Sequence, residues 1–151
     1  MRLTLHTDFA LRLLMLLALE PDKLHTIEEV ARRYRISRNH LMKVVQTLAQ
    51  QGFVDSQRGR GGGLRLARPA KQINLGAVVR STEDSLSLVE CFEAGQNNCV
   101  IAPACGLRGP LGEALAAFFA VLDRYTLADL VANPVAFRRM QRLLGTQAAK
   151  A

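Results

Sequence analysis

Between Thr26 and Gly63 the sequence repeats apolar residues at helical spacing twice, then changes abruptly to glycine and arginine. Few folds accommodate that order. Thr26-Ile27-Glu28-Glu29 offers a capping hydroxyl and an acid three positions on, the capping box that marks a helix start. Ile27, Val30, Ala31 and Tyr34 follow at i, i+3, i+4 and i+7. After Arg35 and Ile36, Ser37 opens a second helix, whose Leu41, Val44, Val45 and Leu48 keep the same spacing until Gly52 stops it. Two short amphipathic helices joined by a tight turn form a helix-turn-helix, although Arg35 stands where many such turns carry Gly. Residues 53–56 and 64–66 read as short strands around Arg58-Gly59-Arg60-Gly61-Gly62-Gly63. Gly permits the positive φ of a tight hairpin, and the arginines suit an A·T-rich minor groove. This order reads as a winged helix. A nucleotide-binding loop is the rival, but neither Gly-Lys-Ser/Thr nor G-x-G-x-x-G is present.

The flanking segments complete a mainly α fold with a small β-wing. Leu5, Phe9, Leu13, Leu16 and Leu17 repeat at helical spacing, with Thr7 as the expected cap. Ala10, Leu14 and Met15 make this helix apolar on more than one side, the pattern of a helix packed between two bodies. Glu20-Pro21-Asp22 ends it. Beyond Pro69, Asn74 caps a helix carrying Leu75, Val78 and Val79; residues 87–109 are irregular. Gly109-Pro110 opens a long helix with Pro in the first turn, where its missing N–H costs nothing. Its stripe of Leu111, Leu115, Phe118, Phe119, Leu122 and Tyr125 fits core packing or a two-fold dimer. A segment over 134–144 closes the chain ahead of a frayed tail. The expected organisation is a winged helix-turn-helix domain over 1–80, a loop region over 81–109, and a dimerisation helix with tail over 110–151.

Charge separates along these lines. Residues 1–80 hold 14 Lys and Arg against 6 Asp and Glu, whereas residues 81–151 hold 6 against 7. A basic half fits a polyanion, here double-stranded DNA with a palindromic operator. The second helix would enter the major groove by its N-terminal turns, presenting Ser37, Arg38, Asn39, His40, Lys43 and Gln46. Arg38, Asn39 and Gln46 suit base edges, Lys43 and Ser37 suit phosphate, and Arg58 and Arg60 are the wing contacts. The apolar run near the N-terminus, Leu13 to Leu19, is too short to span a bilayer and lacks a small-residue cleavage site, so the chain reads as cytoplasmic.

Cys91, Cys99 and Cys105 are spaced C-x7-C-x5-C in the irregular segment. An odd number of cysteines in a reducing compartment favours metal binding or thiol reactivity over disulfides. Thiolates on a loop can converge on a soft metal, and Cys is the standard iron–sulfur ligand. Cys105 also precedes the long helix, whose dipole favours a thiolate. The simpler reading is three buried, inert cysteines. A Cys nucleophile is disfavoured, because His6, His25 and His40 all lie in the N-terminal half; no enzyme is expected.

Met1-Arg2-Leu3-Thr4 through the wing, Leu88-Val89-Glu90-Cys91-Phe92, and Cys99-Val100-Ile101-Ala102-Pro103-Ala104-Cys105 together resemble the iron–sulfur winged-helix repressor family, and within it the nitric-oxide-sensing NsrR branch. The resemblance extends to about residue 130. It implies a homodimeric repressor with one cluster per subunit, held by Cys91, Cys99, Cys105 and a fourth, non-Cys ligand. In the branch regulating cluster assembly that ligand is a His shortly after the last Cys, where this chain has Gly106, Leu107 and Arg108. In the nitric-oxide branch it is an Asp of the partner subunit's first helix, which Asp8 matches. Taken without the resemblance, Asp8 is a helix-N-terminal acid pairing with Arg12 at i+4. Glu90 and Glu93 are competing ligands. A [4Fe–4S] cluster suits three Cys plus one distinct ligand, and [2Fe–2S] also takes four. The alternative function is a winged-helix regulator sensing redox or iron–sulfur status through the same cysteines.

Overall fold

The computed structural model describes residues 2–57, 59–93, 95 and 97–146. In chain order come α1 (Leu5–Leu19), α2 (Ile27–Tyr34), α3 (Arg38–Gln50), β1 (Val54–Gln57), β2 (Gly63–Leu66), α4 (Leu75–Thr82), α5 (Arg108–Leu122), α6 (Leu127–Val131) and α7 (Pro134–Thr146). Short 3-10 turns lie at Ala70–Gln72, Glu90–Phe92 and Ala102–Ala104. The fold is mainly helical with a small antiparallel wing, as the patterning implies.

α1 is the hub. Ala10, Leu13, Leu14, Leu16 and Leu17 are essentially solvent-free, and the helix packs against α3, α4, α6 and β2. A helix apolar on most sides has to be enclosed in this way. Its cap is Thr4 rather than Thr7. Thr4 has extended backbone and its hydroxyl accepts the Thr7 N–H at 3.2 Å, while Thr7 lies a turn inside and is fully buried. Glu83 accepts from both the backbone N–H and the hydroxyl of Thr4, at 2.9 and 3.1 Å, tying the end of α4 to the start of α1.

The helix-turn-helix closes through a left-handed residue. Arg35 has φ 55° and ψ 44°, and the Ile36 N–H reaches back to the Ala31 carbonyl at 2.9 Å. Arg35 therefore does the backbone work that Gly usually does in this turn. Val30, Leu41, Val44 and Leu48 are fully buried between the two helices and α1. Gly52, at φ 69°, ends α3. The Phe53 N–H still bonds the Leu48 carbonyl, so β1 begins one residue later than the sequence pattern implies.

In the wing β1 and β2 pair from Val54 with Leu66 to Gln57 with Gly63. His25 and Leu64 exchange both backbone hydrogen bonds, at 3.1 and 2.8 Å, adding a one-residue third strand. At the tip Gly59 and Gly61 have φ 99° and 75°. A Cβ on Gly62 would stand 2.3 Å from the Gln57 carbonyl oxygen, so that approach needs Gly.

The core crosses the boundary expected at residue 80. Leu127 of α6 and Leu144 of α7 are buried in the same apolar cluster as α1 and α3. α6 was not expected, yet Thr126 and Asp129 form a full capping box at its start. α5 stops at Leu122, three residues short of the expected Tyr125. There the chain turns to bridge Asn74 with Thr126; the Leu75 N–H bonds Tyr125 O at 3.0 Å and the Leu127 N–H bonds Ile73 O at 2.8 Å. Of the expected α5 stripe only Phe119 is buried. The expected frayed tail, 147–151, lies outside the described residues.

Candidate DNA interface and cysteine loop

α3 presents a polar face because its apolar residues are consumed by α1 and α2. Ser37 caps it, the hydroxyl accepting the His40 N–H. Asn39, Lys43 and Gln46 are exposed. Arg38 is exposed too, and its Nε donates to Glu28 at 2.7 Å; that hydrogen bond holds the Glu28 carboxyl below its ordinary value. His40 differs from the outward position expected of it. Half-buried, it lies edge-on to Phe9 with centroids 4.8 Å apart, and near the His6 ring at 6.2 Å. His6 Nε2 is in turn 3.1 Å from the Thr47 hydroxyl. The first turns of α1 thus brace the flank of α3.

A cleft runs between α3 and the wing, lined among others by Arg38, Met42, Gln46, Ser56 and Gln57. Met42 is 44% exposed. A polar pattern along this face does not single Met42 out. The signal was its position off the 41, 44, 45, 48 stripe. Arg60 is exposed at the wing tip, whereas Arg58 lies outside the described residues.

Beneath the wing, Glu20, His25 and Glu29 converge. Their geometry is that of an ion-pair network rather than a metal site. Arg33 bonds Glu20 at 3.1 Å and Glu29 at 2.7 Å, and Lys23 also pairs with Glu29. The two carboxylates face opposite ring nitrogens, Glu20 at 3.2 Å from Nε2 and Glu29 at 3.7 Å from Nδ1. His25 is fully buried, and desolvation pushes its pKa down despite the nearby carboxylates. Burial alone would raise the Glu29 carboxyl; the Lys23 hydrogen bond and the Arg33 charge hold it below its ordinary value.

The three cysteines lie between α4 and α5. Cys91 sits within the turn Glu90–Phe92, and Cys99 precedes the turn Ala102–Ala104, whose first N–H bonds its carbonyl at 3.2 Å. Cys105 follows that turn in extended conformation, three residues before α5 begins at Arg108 rather than directly against it. All three are free thiols of intermediate exposure, which disfavours the reading of three buried, inert cysteines. Glu90 accepts the Asn98 N–H and Glu93 accepts the Ser85 hydroxyl at 3.2 Å, so both acids already shape this loop. Between Cys99 and Cys105, Val100 is 94% and Ile101 65% exposed, an apolar tip facing solvent. Asp8 bonds Arg12 at 2.6 Å on the partly exposed side of α1.

α4 and α5, which flank this loop, are clamped. Arg80 donates two hydrogen bonds to Asp123, both at 2.7 Å, and its guanidinium lies 4.3 Å over the Phe119 ring. The hydrogen bonds from Arg80 hold the Asp123 carboxyl below its ordinary value.

Residues 3–133 match the Rrf2 family, described as an iron-dependent transcriptional regulator. The chain is 55% identical over 134 residues to the HTH-type transcriptional regulator NsrR of Bacillus subtilis, covering 88% of this chain and 92% of that one. It is 49% identical over 148 residues to NsrR of Shouchella clausii, covering 97% and 99%. Among solved structures, CymR, the global cysteine regulator of B. subtilis, superposes with a TM-score of 0.69 at 25% identity, covering 87% of this chain and 97% of that one.

Proposed function

The chain belongs to the Rrf2 family of iron-dependent transcriptional regulators, and from that premise we propose that it is a homodimeric repressor in which an iron–sulfur cluster makes DNA binding responsive to nitric oxide. As a member of that family it is a DNA-binding transcriptional regulator and not an enzyme. The observation that carries the sensing part is one loop with three free, accessible thiols, joining a helix of the DNA-binding core directly to α5.

On DNA, Arg38, Asn39 and Gln46 take base edges, and Lys43 and the α3 N-terminus capped by Ser37 take phosphate. His40 braces α3 against Phe9 and adds a ring edge to that face. Arg58 and Arg60 carry the wing into the minor groove. The partner is a palindromic duplex, because two copies related by a two-fold axis present two copies of α3.

The donor set fits a cluster: Cys91, Cys99 and Cys105 supply three soft thiolates, with no disulfide competing for them. The fourth ligand would be the partner subunit's Asp8, a hard carboxylate held in its own helix by an exposed i, i+4 pair with Arg12, of a kind worth little. Glu90 and Glu93 are less available, since each already accepts a hydrogen bond within the loop. A bound cluster, [4Fe–4S] in our reading, supplies iron that nitric oxide can ligate. Asp8 would hold the partner's cluster, with Arg12 its partner in the cluster-free chain, and the His6–Thr47 and Phe9–His40 contacts would couple the start of α1 to α3.

The experiment is native mass spectrometry of protein purified without oxygen, followed by nitric oxide titration of its operator complex. A dimer carrying two clusters, releasing DNA as nitric oxide is added, is expected. An iron-free dimer that binds DNA tightly and ignores nitric oxide overturns the sensor reading and leaves the regulator. If such a protein instead releases DNA on reversible thiol oxidation, redox sensing through the same cysteines takes its place.

A further inference from the structure

α3 buries Leu41, Val44, Val45 and Leu48, yet leaves Met42 44% exposed. A single exposed apolar residue is ordinary on a protein surface. Met42 is unusual in its neighbours. Arg38, Met42 and Gln46 are spaced i, i+4, i+8 and form one stripe along the wall of the cleft that faces Ser56 and Gln57 of the wing. Both flanking residues are hydrogen-bonding groups suited to base edges, so whatever Arg38 and Gln46 touch, Met42 touches between them.

The major-groove edge of DNA carries donors and acceptors at every base pair and one apolar group, the 5-methyl of thymine. We propose that Met42 is a specificity-determining residue, its thioether chain packing on a thymine 5-methyl group in the major groove. This rests on the reading of α3 as the helix that enters that groove. Gln46, one turn on, suits the N6 and N7 edge of adenine, so the pair together reads A·T steps. Arg38 pairs with Glu28 at 2.7 Å in an exposed ion pair that a base edge can displace, and Met42 is the apolar member of the stripe. The unbranched, polarisable side chain adjusts to the methyl without a fixed rotamer. Removing a methyl from such a contact is worth about fourfold in Kd, the equivalent of ~0.8 kcal/mol.

The test uses duplexes selected by the full-length protein from a random pool, with each thymine replaced in turn by deoxyuridine, which keeps every hydrogen-bonding group and removes only the methyl. For the unaltered protein, one or two replacements per half-site are expected to raise Kd about fourfold. Met42→Ala is expected to bind the thymine duplex correspondingly more weakly and to be indifferent to those same replacements. Met42→Leu, which keeps an apolar chain, is expected to retain the sensitivity. Circular dichroism and thermal melting of the variants check that an exposed substitution leaves the fold intact. If no replacement matters, or if Met42→Ala loses as much as the unaltered protein at the same thymine, the assignment is wrong while DNA binding stands. If the protein, purified without oxygen, selects no duplex at all, the reading of α3 fails and the assignment with it.

Discussion

Arg35 sits in the left-handed region at φ 55°, ψ 44°, where a Cβ crowds the following carbonyl and costs a non-Gly residue about 1–2 kcal/mol. The turn is retained because the Ile36 bond to Ala31 and the burial of Ile36 over-determine it. Arg35→Gly relieves that strain but enlarges the unfolded ensemble. A net gain of roughly 0.5 kcal/mol in urea unfolding is expected, and Arg35→Val is expected to lose stability, since a β-branched residue tolerates positive φ least. His25 supplies a pH dependence. The groups facing it are Glu20, Glu29, Lys23 and Arg33, and desolvation wins, so its pKa is lowered from 6.5 on folding. The unfolded chain therefore binds the proton more readily. Stability from the neutral ring is complete above pH 6.5 and drains as the pH falls through that value toward the lowered one. Tm is expected to fall between pH 7.5 and 5.5, with a shallower slope in His25→Gln; equal slopes would remove His25 as the cause.

Among the elements α1 carries the most. Leu14 is fully buried, and Leu14→Ala is expected to cost about 2–5 kcal/mol by denaturant unfolding, through lost transfer energy and the cavity left behind. The α4–α5 clamp is more delicate. A Cβ on Gly76 would stand 1.9 Å from Asp123 Oδ1, so Gly76→Ala pushes that carboxylate out of its bidentate pair with Arg80. Gly76→Ala and Asp123→Ala are expected to raise hydrogen exchange in α5, and the double variant to exceed neither single one, because both break the same contact. Sequence periodicity is legible where a helix buries one face, as α2 and α3 do. It is silent for α6, where five residues are less than two helical turns. The Thr126–Asp129 cap was the signal available there, and it was readable from the sequence.

At the scale of the whole molecule, α5 is under-buried. It is apolar along its length, yet only Phe119 is enclosed, while Ala114, Ala117 and Val121 share an exposed face at i, i+3, i+7. In our reading a second copy covers that face. Ala117→Glu is expected to shift the protein to monomer in sedimentation velocity and to weaken operator binding by at least tenfold; an unchanged dimer would move the interface elsewhere. The sequence by itself determined the winged helix-turn-helix, because caps, helical periods and a glycine–arginine hairpin are local signals that act within a few residues. It also determined which residues are thiols and which half is basic. Tertiary structure alone decided that Glu83, 79 positions away, meets Thr4 and ties the end of α4 to the start of α1. It decided that His40 leans on Phe9, and that Leu127 and Leu144 belong to the N-terminal core. Those outcomes depend on which surfaces meet after the chain has turned back on itself, and residue spacing carries no record of contacts between elements far apart in the chain.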